Sequence, residues 1–548
     1  MTRWERPAAG REPAAAALLG WLADPHAPRL CLISGSAGCG KSALLAWLVH
    51  HGRRLGTPVE RAIHAVVPLE GQSVRGTVWA LADQLGVVAR APGELVEALE
   101  ADTRRTVMVL PDLDSSHSPE ALAELVLVLA ELTHIRLITE ARSGSRAHEL
   151  LAGNRVAELD LDLEQWTDRA RYETWRAEWA ADRAPAPEPH EPPRVDLDDP
   201  AAVCAADALL VTAAYETESD GHGGLCAAWL RAGQSLIRDQ APADRALVLL
   251  TALGDGADPR LGPALASLAE AAPWRAVWSR GRGDLTPPWP GPVAALATGS
   301  GPLDGQLLTA DHLGTVRLLN AADASANDRR TPLSGQIAAM AGLPDGTVLV
   351  LDGSGRVRAE CAWVARPAGS GIEALLDEGP TQTERLTEAL EEYEVTALTT
   401  VGAVAAVGDA TGTVRAFGDE SAAVHMHKGR VTALAALEVP LGEDGTTAPL
   451  IYSGGADGTV RVWSPGVEPL ATPVTEAPCP VVALAAASTP EGPVLAVGRR
   501  DGRVEYRVLD TDRMVTFHPG SPIRALAATA GGDLLIGTDE SLICLRPQ

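Results

Sequence analysis

Residues 29–51 read RLCLISGSAGCGKSALLAWLVHH. An apolar strand runs into Gly35-Ser36-Ala37-Gly38-Cys39-Gly40-Lys41-Ser42, and a helix follows at once. This is a complete GxxxxGK[ST] pattern in the strand–loop–helix setting it requires. Glycines let successive backbone N–H groups curl around a phosphate, and the positive end of the helix adds to the attraction. Lys41 is a compact charge that can reach the β- and γ-phosphates, while the Ser42 hydroxyl can coordinate Mg²⁺. Only Lys41 and Lys428 are lysines among 46 basic residues, which suggests that arginine has replaced lysine wherever function allows. Arginine's broad planar fork does not suit a tight phosphate cradle, so the lysine here has a reason to persist. The structural alternative is a glycine-rich turn with an incidental lysine.

Working outward, residues 1–180 alternate helical patterns with short β-rich runs at Arg29–Ser34, Ala62–Val67, Thr106–Leu110, Ile135–Thr139 and Arg155–Leu159. Strands separated by helices predict a parallel sheet of βαβ units. Helices are expected over Leu95–Ala101 and Pro119–Leu132, the second with Ser118 as N-cap and proline at its first position. A metal-addressing acid should close a buried strand. Thr106–Leu110 is that strand, yet Pro111 stands where the acid belongs, and Asp112 and Asp114 follow. In extended backbone both would project to one side, so either could hold Mg²⁺. The alternative is a solvated acidic loop. No glutamate follows to orient an attacking water, which argues against efficient hydrolysis. Arg142, just beyond the strand 135–139, could report a γ-phosphate or simply pair with a surface acid.

Residues 181–200 carry six prolines and six acids and read as an extended linker. Residues 201–270 are alanine- and leucine-rich and predict a small helical domain of three or four helices, a spacer or packing module. From 271 onward the texture is all-β. Opening strands PVAALA (292–297), QIAAMA (336–341), EVTALT (394–399), RVTALA (430–435), PVVALA (480–485) and PIRALA (522–527) recur. Each leads to a turn and strand such as LGTVRLL (313–319), TGTVRAF (411–417) or DGTVRVW (457–463), with a weaker ESLICL at 540–545. The spacing is near the ~40–45 residues of a propeller blade. Six blades are expected, with WRAVWS (274–279) supplying the last outer strand. A seventh within 363–393 is the alternative, although ERLTEALEEYE there reads as helix.

These units resemble degenerate WD repeats, whose fold is a β-propeller. His427-Lys428-Gly429 leading into Trp463 is the best match, although no unit ends in Trp-Asp. The N-terminal part resembles a STAND NTPase, the signal-transduction class related to NACHT and apoptotic ATPases. Gly10-Arg11-Glu12, the phosphate loop, the degenerate acid strand and Thr139…Arg142 carry that resemblance, as does the order of the three regions. It implies ATP or ADP with Mg²⁺ at Gly35–Ser42, Asp114 in the second acidic position and Arg142 as sensor. Pro111 and Ser115 take the places of the family's first acid and following glutamate, which sets turnover in question.

The chain has 548 residues and a formal net charge of -26. That acidity argues against binding nucleic acid through phosphate neutralisation. No apolar run reaches the ~18 residues of a membrane span. Seven scattered cysteines without a CxxC pair indicate neither a disulfide framework nor a zinc site, consistent with a reduced, cytosolic protein. Cys39 lies in the loop at a helix N-terminus, where its pKa could fall, or it is simply a small residue that fits. His425 and His427, two apart on a strand, would face one side, but no third ligand is evident and blade packing explains them better. Trp166, Trp175 and Trp179 suit a helix packing face.

The expected molecule is multidomain: an α/β P-loop NTPase domain (1–180), a linker, a helical domain and a propeller (271–548). Its expected role is an ATP-binding signalling or scaffold protein with slow or no turnover. Nucleotide state would set the orientation or self-association of a propeller that binds a basic or neutral protein surface. Two alternatives stand beside it: a pure interaction scaffold with a vestigial nucleotide site, and a steadily cycling ATPase using Asp114 as base.

Overall fold

The computed structural model describes residues 6–152, 155–181, 194–218, 220–281, 293–329, 335–360, 382–418, 420–441, 447–511 and 513–548. Most of the expected linker, 182–193, and residues 363–381 of the alternative seventh blade lie outside them. The chain divides into two compact units, Met1–Asp220 and Gly221–Gln548. That division falls inside the stretch read as one helical domain.

The first unit is built on five strands: β1 (Leu30–Ser34), β2 (Ala65–Val66), β3 (Thr106–Leu110), β4 (Ile135–Glu140) and β5 (Val156–Asp160). All pair in parallel, in the order β2-β3-β4-β1-β5. Each falls on one of the five β-rich runs. β1, β3 and β4 are buried along their whole length, as expected of strands covered on both faces. Around them stand α1 (Glu12–Ala23), α2 (Lys41–Gly52), α3 (Val74–Leu85), α4 (Pro92–Glu100), α5 (Pro119–Glu131), α6 (Arg146–Ala152) and α7 (Arg169–Ala181). Leu18, Leu22, Leu44 and Leu48 from α1 and α2 join Ile33, Val107, Val109 and Ile138 in the core, each buried aliphatic contributing roughly 1.5–3 kcal/mol. Pro119 opens α5 as expected, but the Ser118 side chain makes no capping bond. Trp166 precedes α7 rather than lying on it and packs against the core. Two short helices, α8 (Pro200–Ala205) and α9 (Ala208–Thr217), complete this unit.

The second unit opens with α10 (Leu225–Leu236), α11 (Pro242–Ala252) and α12 (Leu261–Leu268), followed by β6 (Trp274–Gly281). Six antiparallel sheets then form a propeller. Their inner strands are Val293–Thr298, Ile337–Gly342, Ala397–Val401, Val431–Pro440, Val481–Thr489 and Ile523–Ala528. Each packs on the next, and the sixth packs on the first, so the ring closes at six and leaves no place for a seventh blade. A helix, α13 (Gln382–Glu391), stands between the second and third blades. β6 pairs with Ser541–Pro547 as the outer strand of the sixth blade, where WRAVWS was expected. Ring closure from both ends removes a free sheet edge.

A short charged device recurs where the second strand of a blade turns into the third. Asp311, Asp352 and Asp409 each accept backbone N–H bonds from residues two and four further on. Each also pairs with the arginine six residues on, Arg317, Arg358 or Arg415. Against the cost of burial, Arg415, Thr411 and these amides hold the Asp409 carboxyl down to about 2. The fifth blade reverses the polarity: Arg499, fully buried, pairs with Glu505 at 3.0 Å.

Candidate functional site

In an open parallel sheet, ligands bind beyond the carboxyl ends of the strands, where neighbouring strands are distant in sequence. β1 is such a strand, flanked by β4 and β5. Gly35–Gly40 leaves its carboxyl end, and α2 begins at Lys41. Gly35, Gly38 and Gly40 all have positive φ, which turns the loop back on itself. At Gly40 (φ 95°) the backbone disfavours a side chain, and a Cβ there would also press on the Tyr172 hydroxyl of α7. Lys41 Nζ donates to the Gly35 and Ser36 carbonyls, at 3.1 Å each, and so spans the loop. Ser36, Ala37 and Gly38 are exposed on its outer side.

Two further groups brace the loop. Asp162, just beyond β5, accepts from Ser36 N at 2.7 Å and Ser36 Oγ at 2.9 Å. Arg11, 1 % exposed, lies 4.2 Å from the Tyr172 ring centroid and donates to the carbonyls of Cys39 and Leu161 and to Thr167 Oγ1. The Gly10-Arg11-Glu12 segment thus ties the start of α1 to the loop. The Cys39 thiol is not lowered at this helix N-terminus: burial raises it, with Lys41 and Arg11 opposing.

The expected pair of aspartates separates. After Pro111 the backbone does not continue as a strand, because Asp112 takes a left-handed conformation (φ 64°, ψ 36°) and a 3-10 turn follows over Leu113–Ser115. Asp112 and Asp114 therefore do not share one side. Asp112 Oδ1 lies 3.3 Å from Ser42 Oγ, whereas Asp114 accepts the backbone N–H of Arg142. Asp114 braces the loop after β4 and makes no hydrogen bond to Ser42 among the described residues. The Arg142 side chain is exposed at the carboxyl end of β4.

Glu140, which ends β4, is the group the sequence reading passed over. It is 4 % exposed, and its Oε1 accepts from Ser42 Oγ at 2.7 Å and from Asp112 N at 3.3 Å. Burial pushes its carboxyl up to about 7; the Ser42 hydroxyl opposes this and the Asp112 charge reinforces it. A charged residue directly after the buried run IRLIT was the signal available. Ser42, Asp112 and Glu140 form a hard oxygen set of the kind Mg²⁺ prefers, and the Glu140 oxygen Oε2 is buried without a partner.

On the propeller, inner strands line a central cavity of about 200 Å³, mostly with alanine, leucine and threonine; Arg524 is the one charged side chain among its lining residues. In the fourth blade, His427 is buried with Nδ1 3.2 Å from Asp457 Oδ1 and Nε2 2.8 Å from Ser453 Oγ. His425 ends the preceding strand and is exposed, so the two histidines do not face one side. His427 serves blade packing, as favoured from the sequence.

A family model, "WD domain, G-beta repeat", matches residues 420–464, which run from the outer strand of the third blade to Trp463 of the fourth. Among curated proteins none matches the chain. Similar solved structures include the computationally designed Ika8 protein (18 % identity, TM-score 0.28, 47 % of this chain and 71 % of that one). The RRP9 WD40 repeats are 14 % identical with a TM-score of 0.31, covering 50 % of this chain and 98 % of that one. U3-55K is 14 % identical with a TM-score of 0.32, covering 51 % and 99 %. The segment 420–464 is thus a WD repeat, and it lies within the six-bladed ring that the sheet topology defines. Among the described residues no helix is long and apolar enough to cross a membrane.

Proposed function

We propose that the protein is an ATP-binding scaffold, with a nucleotide site at Gly35–Ser42 and a propeller that binds a protein partner. The phosphate loop carries this reading. Three glycines with positive φ, a lysine spanning the loop and a helix N-terminus converge beyond the carboxyl end of β1. Lys41 would exchange its two carbonyl partners for the β- and γ-phosphates. Ser42 and Asp112 would hold Mg²⁺, which when bound neutralises charge across those phosphates. Asp162 and Arg11 hold the loop in shape, so their part is positioning.

Turnover is slow or nil in this reading. Pro111 and Ser115 lack carboxylates, and Asp114 is engaged by Arg142 N. The same departures favour a second reading, in which the propeller is the whole function and the loop is vestigial. A third, steady ATP hydrolysis with Asp114 as base, would require Asp114 to leave that bond.

Titration of a fluorescent ATP analogue with Mg²⁺ into the wild type and Lys41→Ala separates these. Micromolar binding lost at least tenfold in Lys41→Ala is expected; equal, negligible binding by two folded proteins leaves only the scaffold. If nucleotide also governs the propeller, ATP and ADP must have different affinities for two arrangements of the protein. Small-angle scattering profiles recorded with each nucleotide would then differ, and superimposable profiles would sink that coupling.

A further inference from the structure

Pro111 removes the acid that would close β3, and the register of the sheet shows what stands at the same level. Leu110 pairs with Thr139 in parallel, so the next residues, Pro111 and Glu140, are level on adjacent strands. β4 lies between β3 and β1, and Glu140 itself pairs with Ile33, two residues before the phosphate loop. The carboxylate is thus one strand nearer the loop than an acid at position 111 would be. Oε1 is satisfied by Ser42 Oγ and Asp112 N, but Oε2 is buried and has no hydrogen-bond partner. Leaving a buried carboxylate oxygen unpaired is unfavourable, more so when the group is charged. A purely structural tie between α2 and β4 needs only Oε1.

We propose that Glu140 is the carboxylate that addresses the nucleotide's divalent cation, in place of the acid absent at Pro111, with Ser42 and Asp112 beside it. This rests on the nucleotide-binding reading above. The acid has moved across one strand while keeping its level in the sheet, so the oxygen set stays next to the first turn of α2. Pro111 then requires no compensation on β3 itself.

Mn²⁺, read by electron paramagnetic resonance, is the probe. It is titrated into full-length protein saturated with the fluorescent ATP analogue, for the wild type, Glu140→Gln and Pro111→Asp/Glu140→Gln. Glu140→Gln should weaken Mn²⁺ binding to the analogue-loaded protein tenfold or more. Restoring an acid at position 111 should recover Mn²⁺ affinity to within about threefold of the wild type. A folded Glu140→Gln that keeps wild-type Mn²⁺ affinity with the analogue bound overturns this assignment alone. A wild type that binds the analogue no better than Lys41→Ala overturns the nucleotide reading and the assignment with it. Should Glu140→Gln not fold, Glu140→Asp takes its place. It keeps the charge but withdraws the oxygens by one methylene, and a loss of Mn²⁺ affinity under threefold overturns the proposal.

Discussion

Asp112 holds a backbone conformation that L-residues avoid, at φ 64° and ψ 36°. The left-handed region costs most residues roughly 1–2 kcal/mol, and aspartate is among the few that enter it readily. That turn swings the carboxylate away from the line of β3 and toward Ser42. Replacing Asp112 by glycine should relieve the backbone, whereas alanine should not. We expect Asp112→Gly to be more stable than Asp112→Ala by about 1 kcal/mol in urea unfolding; equal midpoints would show that the conformation carries no strain. At this scale the sequence was most legible where chemistry is local. The glycine turn ahead of α2 could be read because Gly35–Ser42 are eight consecutive residues. Glu140 was not marked because its partners, Ser42 and Asp112, are 98 and 28 residues away and meet it only through sheet register.

The blade turns show how one element can be built with either charge order. In three blades an aspartate ends the second strand and an arginine lies six residues on; in the fifth blade Arg499 comes first and Glu505 second. The reversal has a local cause. Asp311, Asp352 and Asp409 accept amides of their own turn, while Arg499 donates to the carbonyls of Gly458 and Cys479 from the fourth blade. Arg499 therefore ties neighbouring blades as well as its own hairpin. Glu505→Ala, which strands a buried guanidinium, should cost about 3–5 kcal/mol. The exchange Arg499→Asp/Glu505→Arg should not recover that loss, because the two carbonyls would then face a carboxylate. A swapped protein within about 1 kcal/mol of wild type in urea unfolding would refute the inter-blade role. Opening and third strands were legible from their apolar alternation. Outer strands such as Ala326–Arg329, exposed along its length, carry no such alternation and could only be inferred from the blade.

Across the whole molecule, the sequence separated a sheet-and-helix part from a propeller but placed 201–270 together. Residues 221–268 belong instead to the propeller's unit: Arg231 pairs with Glu540 at 3.1 Å, and Gly520 approaches α10 so closely that a Cβ would meet the Ala232 carbonyl at 2.5 Å. Periodicity shows that a helix has an apolar face, not which surface covers it. β6 was legible because the last unit stops after its third strand and WRAVWS lies ahead of the first; Trp274 and Trp278, four residues apart on one face of it, are both buried. Its pairing with Ser541–Pro547 makes the ring depend on a segment ahead of the first inner strand. A fragment of residues 221–548 should unfold in one cooperative transition with this strand in place. A fragment beginning at 283 should expose the edge at Ser541–Pro547 and self-associate, as light scattering would show; a stable monomer would mean that the sixth blade closes without β6.

The same closure orders events in time. β6 is made some 260 residues before the strand it pairs with. At about 5–20 residues per second, that interval is roughly 15–50 s on the ribosome. The first unit, whose five strands are complete by Asp160, can fold during that wait. The propeller cannot close until its last strand has emerged. Until then β6, with Trp274 and Trp278, has no partner strand, and the nascent chain is most exposed to chaperones and to mispairing with another copy.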